Sequence, residues 1–176
     1  MKVRYAFLIL LSAFVSATTI VPVSVEQLAK ESSHVVEATA LESWSDWNPQ
    51  HTLIVTYTRF QVVRMLKGQA PRTIIVKQPG GTAGHYSQKV AGVRHWGSGE
   101  SAVLFLRPSD TPDGTLQVTG LVQGNFLMHA APTGQVTVSN GVPEVSAFQQ
   151  GAVTTYHGGR MTLSELESRV HKAVQQ

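Results

Sequence analysis

Residues 102–106 read AVLFL, five apolar residues with no polar residue among them. A strand with one wet face alternates apolar and polar side chains. An unbroken apolar run of this length predicts a central strand buried on both faces. Turn signals bracket it. The Gly-rich segment 95–100 leads into it, and the turn 110–114 (DTPDG) follows. The rest of the chain is suited to surround such a strand with more sheet. Val and Thr make up 39 of the 176 residues, and β-branched side chains favour a pleated surface.

A pass along the chain predicts about eight short strands between two helices. Ser24-Val25-Glu26-Gln27 reads as a capping box opening a short helix to about Ser32. Residues 34–44 switch to a strand pattern. Val36, Ala38 and Ala40 share one face and Glu37 and Thr39 the other, with small inward residues suggesting tight curvature. Residues 43–51 (SWSDWNPQH) are expected to form a loop, because Asp46, Asn48 and Pro49 favour turns. Residues 52–66 form a long second strand whose apolar positions change phase. Leu53, Val55 and Tyr57 are odd and Phe60, Val62 and Leu66 even, so a bulge near Thr58-Arg59 is expected.

Residues 73–77 give a third strand, 78–84 (QPGGTAG) a glycine-rich turn and 88–93 a short strand. Further strands fall at 116–122 and 125–130. Asn140-Gly141 predicts a two-residue hairpin turn between 135–139 and 142–145. Thr162-Leu163-Ser164-Glu165 opens a C-terminal amphipathic helix with Leu163, Leu166, Val170 and Val174 on one face. The fold class is therefore mainly β: a small antiparallel barrel with a short N-terminal helix and a C-terminal helix, which cover its open edge or one end.

The N-terminus addresses the compartment. Lys2 and Arg4 precede an apolar stretch from Ala6 to Val15, and Val15-Ser16-Ala17 is a small-residue cleavage pattern. This is expected to be a secretory signal peptide, residues 1–17, cut after Ala17 to leave 18–176 as a single domain, secreted or periplasmic. The alternative is a retained anchor, because 21 residues from Tyr5 to Val25 carry no charge. Cleavage would lower the basic count from 14 to 12 against 11 acidic residues, a net charge of +1. No basic run remains to recruit nucleic acid. Cysteine is absent, which excludes a disulfide scaffold, Cys-ligated zinc, an iron–sulfur cluster and a thiol nucleophile.

Several positions together carry a resemblance. Phe60-x-Val62-x-x-x-Leu66-Lys67-Gly68 is followed by Ile74-x-Val76, then by Gly99-Glu100 and Val103-x-Phe105-Leu106. This layout resembles the OB-type barrel of netrin-like and tissue-inhibitor-of-metalloproteinase-like domains. With Val118-x-Gly120-Leu121-x-Gln123-Gly124-x-Phe126, it is also similar to a group of uncharacterised secreted bacterial proteins. The resemblance covers residues 34–130 and implies a fold. The inhibitors place an N-terminal cysteine on the protease zinc, and a chain without cysteine does not carry that mechanism over.

Catalytic patterns fail on context. Gly97-Ser98-Gly99 lacks the first glycine of a nucleophile elbow, since position 96 is Trp, and it precedes a strand. Gly80-Gly81-x-x-Gly84 lacks the Lys-Ser/Thr and the helix of a phosphate loop, although amides at such a turn can bind an anion. His51, His85 and His95 are an alternative metal set assembled from loops, and His85, His95 and Glu100 make the hydrolase alternative. Asp110 and Asp113 read as turn formers.

The aromatic loops stand out instead. Trp44, Asp46 and Trp47 lie together, as do His95 and Trp96. In an OB-type barrel the loop between the first two strands often forms part of the binding face. A loop Trp offers a flat apolar surface with one donor, suited to a sugar, a peptide or a protein. Trp44 and Trp96 can equally plug the barrel ends, so Trp47, beside Asn48-Pro49, is the better exposed candidate. The leading expectation is a non-enzymatic module that binds a protein or small-molecule partner, without cofactor or nucleic acid. The alternatives are an envelope hydrolase and a membrane-tethered accessory subunit.

Overall fold

A computed structural model describes residues 22–142, 145–149, 152–156 and 159–175. The expected signal peptide and its cleavage point lie outside the described residues. Among the described residues no helix is long and apolar enough to cross a membrane.

In chain order the elements are α1 (Val25–Glu31), β1 (His34–Trp47), β2 (Ile54–Lys67), β3 (Thr73–Pro79), β4 (Gly81–Ala83), β5 (Tyr86–Gln88) and β6 (Ser101–Pro108). They continue with β7 (Leu116–Val118), a 3-10 turn (Leu121–Gly124), β8 (Asn125–Ala130) and β9 (Val136–Ser139). The described C-terminal elements are β10 (Val145–Gln149), β11 (Ala152–Tyr156), β12 (Met161–Thr162) and α2 (Leu163–Gln175). The fold is mainly β with two helices, as the sequence predicts. Its large sheet runs β1-β2-β3-β7-β6-β8-β9-β12, and β6 also pairs back onto β1. Part of the sheet therefore turns into a ring of neighbours, β1, β2, β3, β7 and β6. The sheet is mixed rather than antiparallel throughout, because β3 meets β7 through one parallel pair, Val76 with Leu116.

The apolar run occupies the centre. Ala102 to Leu106 are all buried in β6. Ala102, Leu104 and Leu106 point into the ring with Val36, Ala38, Ala40, Phe60 and Val76. Val103 and Phe105 point the other way, into a second core with Leu28, Phe126, Leu166 and Val170. Each large side chain so buried contributes about 1.5–3 kcal/mol. The second core is where the helices sit, so they cover one outer face of the sheet rather than an edge or an end. Amphipathic α2 buries Leu166, Val170 and Ala173, whereas Val174 is 45% exposed.

The helix ends are held as capping chemistry requires. Ser24 Oγ accepts the Gln27 amide at 3.1 Å, although the Gln27 side chain reaches Glu31 instead of returning to Ser24. Thr162 Oγ1 accepts the Glu165 amide at 3.2 Å. Lys67 closes the far end of α1, donating from Nζ to the carbonyl oxygens of Ala29 at 2.6 Å and Ser32 at 2.7 Å. A cation there meets the negative end of the helix. Gly68 follows with φ +77, and a Cβ there would collide with the Ser33 carbonyl. The Lys-Gly pair thus ties the ring to the helix layer.

Several strand expectations need correction. Gly81–Ala83, within the expected glycine-rich turn, is strand β4, and the strand expected at 116–122 ends at Val118. β1 continues to Trp47, so residues 43–47 are strand rather than loop; pairing with Ile54–Thr58 of β2 carries it on. The phase of β2 does not change near Thr58-Arg59. Thr56 and Thr58 are buried on the same face as Ile54 and Phe60, with hydroxyl partners Ser45 and Ser43, each at 2.8 Å. The bulges fall at Leu41 in β1 and at Val63 and Leu66 in β2. At the first of these, Ala40 bonds the backbone of Gly99 and Glu100, and Ser98 Oγ donates to the Leu41 carbonyl at 2.7 Å. Residues 89–93 form no strand, since Gln88 ends β5. Finally, Asn140-Gly141 does not close a hairpin. β9 pairs with β8 and β12, while β10 pairs with β11. The Asn140 amide is occupied by the Gln123 carbonyl and the Val142 amide.

Candidate functional site

Beyond Ala40, β1 has parted from β6 and continues as a hairpin with β2, whose residues 55–61 remain paired to β3 on their other side. The inner face of this hairpin carries the Ser45–Thr56 and Ser43–Thr58 hydroxyl pairs. The β4–β5 hairpin lies over this face. Gln88 Oε1 accepts the Ile54 amide at 3.0 Å, and a Cβ on Gly81 would strike both Ser45 Oγ and Thr56 Oγ1.

The outer face carries a ladder of alternating character. Trp44 is 40% exposed and stacks on Tyr57 opposite it, with centroids 5.6 Å apart and planes 15° apart. The Arg59 guanidinium lies 5.7 Å from the Trp44 ring centroid and pairs with Glu42 at 2.6 Å. On the other flank, Lys77 Nζ lies 5.7 Å from the Tyr57 centroid and pairs with Asp113 at 3.1 Å. Strand alternation places these side chains on one face. Cations beside aromatic rings are attracted by the ring quadrupole.

Asp113 anchors the end of this row. It accepts from the Thr115 hydroxyl at 2.6 Å, the Thr111 hydroxyl at 2.8 Å and Lys77. The Thr115 hydrogen bond, with those of Thr111 and Lys77, holds its carboxyl well below the usual range. Asp110 accepts from Arg107 and Gln117 in the same turn.

A second aromatic group sits at the hairpin tip. Trp47 is half-buried, stacked with His51 at 6.0 Å and edge-on to Tyr86 at 5.5 Å. Asn48 holds the turn, its Oδ1 accepting the amides of Thr52 at 2.8 Å and Leu53 at 3.1 Å. Asp46 is exposed and accepts the Trp47 amide at 2.7 Å.

The structure separates residues that stood together in the sequence. Trp96 is 3% exposed, edge-on to Phe60 at 4.9 Å, and donates from Nε1 to Asn125 Oδ1 at 3.1 Å. Its ring and its donor are both used inside the ring core, so it presents no surface to a ligand. His95 is half-buried against the Pro79 carbonyl, 3.2 Å from Nε2. His51 stacks on Trp47 and His85 is exposed at the β4–β5 turn. Among the described residues no three His, Asp or Glu side chains gather as metal ligands. Glu100 is engaged, with Oε1 at 3.1 Å from Arg94 and Oε2 accepting the Gly97 amide at 2.8 Å.

No protein-family model and no curated protein matches this chain. The site is read from its geometry. Trp44 and Trp47 lie on opposite faces of one hairpin, each with aromatic neighbours. Sequence reasoning missed Tyr57, Arg59, Lys77 and Tyr86. Alternation along β2 carries a signal for Tyr57 and Arg59. Nothing in the local sequence announces that Lys77 or Tyr86 lies beside them.

Proposed function

We propose that this chain is an exported, non-enzymatic module with an OB-type barrel that binds a protein or small-molecule partner through the β1–β2 hairpin. The ring order β1-β2-β3-β7-β6 supports the barrel reading, since OB folds are five-stranded Greek-key barrels. The resemblance over residues 34–130 points the same way. The N-terminal segment 1–17 supports export.

The observation that carries the binding reading is the exposed Trp44–Tyr57 stack flanked by Arg59 and Lys77. Aromatic and Arg side chains dominate binding energy where proteins meet. Strands two and three of an OB-type barrel, with the loop before them, form its usual contact face. On this reading Trp47 and exposed Tyr86 extend the contact surface around the tip.

Two variants test it. Trp44→Ala and Trp47→Ala are expected to fold as the wild type and to lose capture of a partner from an envelope extract. Capture unchanged in both variants rejects the hairpin as the contact. The intact mass of the exported protein tests the leader, because retention of residues 1–17 overturns cleavage after Ala17.

A further inference from the structure

On the other side of the β4–β5 hairpin lies an open cleft of about 670 Å³, within the size range of small-molecule sites. Thr82 and Ser87, paired across β4 and β5, face it. Tyr86, the next residue along, turns to Trp47 instead. The cleft is therefore distinct from the aromatic tip. Lys89, Val90, Ala91, Val93 and His95 of the segment that follows β5 complete its lining.

Its chemistry is one-sided. No Asp or Glu lines it. Gln88 Oε1 is already accepting the Ile54 amide, so the NH₂ group is what Gln88 has left to offer. His95 Nε2 faces the Pro79 carbonyl, which can only accept, so the hydrogen of this nitrogen is spent there and His95 adds no free donor to the cleft. Lys89 is exposed at the cleft and pairs with no carboxylate among the described residues. By contrast Arg59, Arg64, Lys77, Arg94 and Arg107 each meet an acid, and Lys67 is spent on helix carbonyls. The remaining wall is apolar, with Val90 and Val93 partly buried. The Thr82 hydroxyl donates to Ser87 Oγ at 3.3 Å, which leaves the Ser87 hydroxyl to donate outward. A concave lining with that hydroxyl, the Gln88 NH₂ group, one uncompensated cation and an apolar wall complements an anion with a hydrocarbon part.

We propose that this cleft binds a small organic acid, its carboxylate at Lys89 beside the Ser87 hydroxyl and its apolar part on Val90 and Val93. The site does not depend on the partner-binding reading of the β1–β2 hairpin.

Titration of the isotope-labelled protein with hexanoate tests the assignment. Saturable shifts are expected at the amides of Ser87, Gln88, Lys89 and Val93. Hexanol, with the same hydrocarbon and no charge, is expected to bind at least about tenfold more weakly, as is inorganic phosphate, which lacks the hydrocarbon. Lys89→Gln is expected to weaken hexanoate by about tenfold, and Lys30→Gln, on α1, to leave it unchanged. Hexanol binding as tightly as hexanoate, phosphate binding as tightly as hexanoate, or an unaltered Lys89→Gln affinity would each overturn the proposal. So would shifts confined to other surfaces, or no saturation. The exposed position of Lys89 keeps its variant folded, and an unchanged thermal transition verifies this.

Discussion

Trp44 and Tyr57 face each other across β1 and β2 with their rings nearly parallel, 5.6 Å between centroids. A stacked cross-strand pair contributes about 0.5–1.5 kcal/mol beyond the area it buries. A double-mutant cycle of Trp44→Ala and Tyr57→Ala is expected to show coupling of that size, with little loss of cooperativity in urea unfolding. A coupling indistinguishable from zero would mean that the rings are merely adjacent.

Lys67 should matter more than an exposed lysine usually does. Its ammonium satisfies carbonyls of Ala29 and Ser32 at the end of α1. Lys67→Met keeps the hydrocarbon stem and removes the donors, and is expected to cost about 1.5–3 kcal/mol, the range for a hydrogen bond to a charged group. Gly68→Ala is expected to cost more than about 1 kcal/mol, because φ +77 is strained for any residue with a Cβ and the Ser33 carbonyl blocks the space. Urea midpoints equal to wild type would show that the Lys-Gly turn does not hold the helix.

Arg64 stands between two acids. It donates from Nε to Glu37 Oε1 at 2.7 Å and also pairs with Glu167 on α2. Glu37 is 7% exposed, so Arg64→Met would strand a buried carboxylate at a cost of about 3 kcal/mol. Adding Glu37→Gln to Arg64→Met should restore much of the loss. Recovery is the informative readout, since a packing defect at residue 64 would not be repaired from residue 37.

Acid sensitivity has a defined source in the helix pair. Arg169 donates to both carboxylate oxygens of Glu26, at 2.7 and 2.8 Å. These bonds hold the Glu26 carboxyl at about 2, against an ordinary 4.5. The folded value lies below the unfolded one, so the folded state favours the ionised form. This stability is fully present above about 4.5 and is lost as the pH falls towards 2. Glu26 is 42% exposed, so solvent screening keeps the contribution small. Arg169→Met should flatten the pH dependence of the unfolding midpoint in that window. Parallel profiles for variant and wild type would assign the acid loss elsewhere. Asp113 contributes with the same sign, because its carboxyl is also held low.

Much of the fold was legible because its signals are local. The Ser24 and Thr162 caps, the turn at Asp113 and the double burial of residues 102–106 each follow from neighbouring residues and elementary geometry. The misread phase of β2 has a physical cause. Periodicity reads apolar character as burial, but Thr56 and Thr58 are buried because Ser45 and Ser43 supply hydroxyl partners from β1. The odd-numbered apolar pattern groups Tyr57 with Leu53 and Val55, and Tyr57 faces outward against Trp44. The segment 43–47 looked like a loop until a partner strand gave its backbone a ladder.

The candidate site was legible as a set of tryptophans and not as a place. Trp44, Trp47 and Trp96 are similar as sequence features, yet one lies in the ring core and two lie on opposite faces of a hairpin. Only long-range pairing sorts them, and so decides which of them can meet a partner. The sequence by itself determined a β-rich chain, capped helices at both ends, a doubly buried central strand and the absence of thiol chemistry. Tertiary structure decided the ring order, the layer that the helices cover and the neighbours of Trp44. The reason is physical. Caps, turns and pleat alternation act within a few residues, whereas strand pairing and side-chain stacking join residues whose separation in sequence carries no trace of their contact.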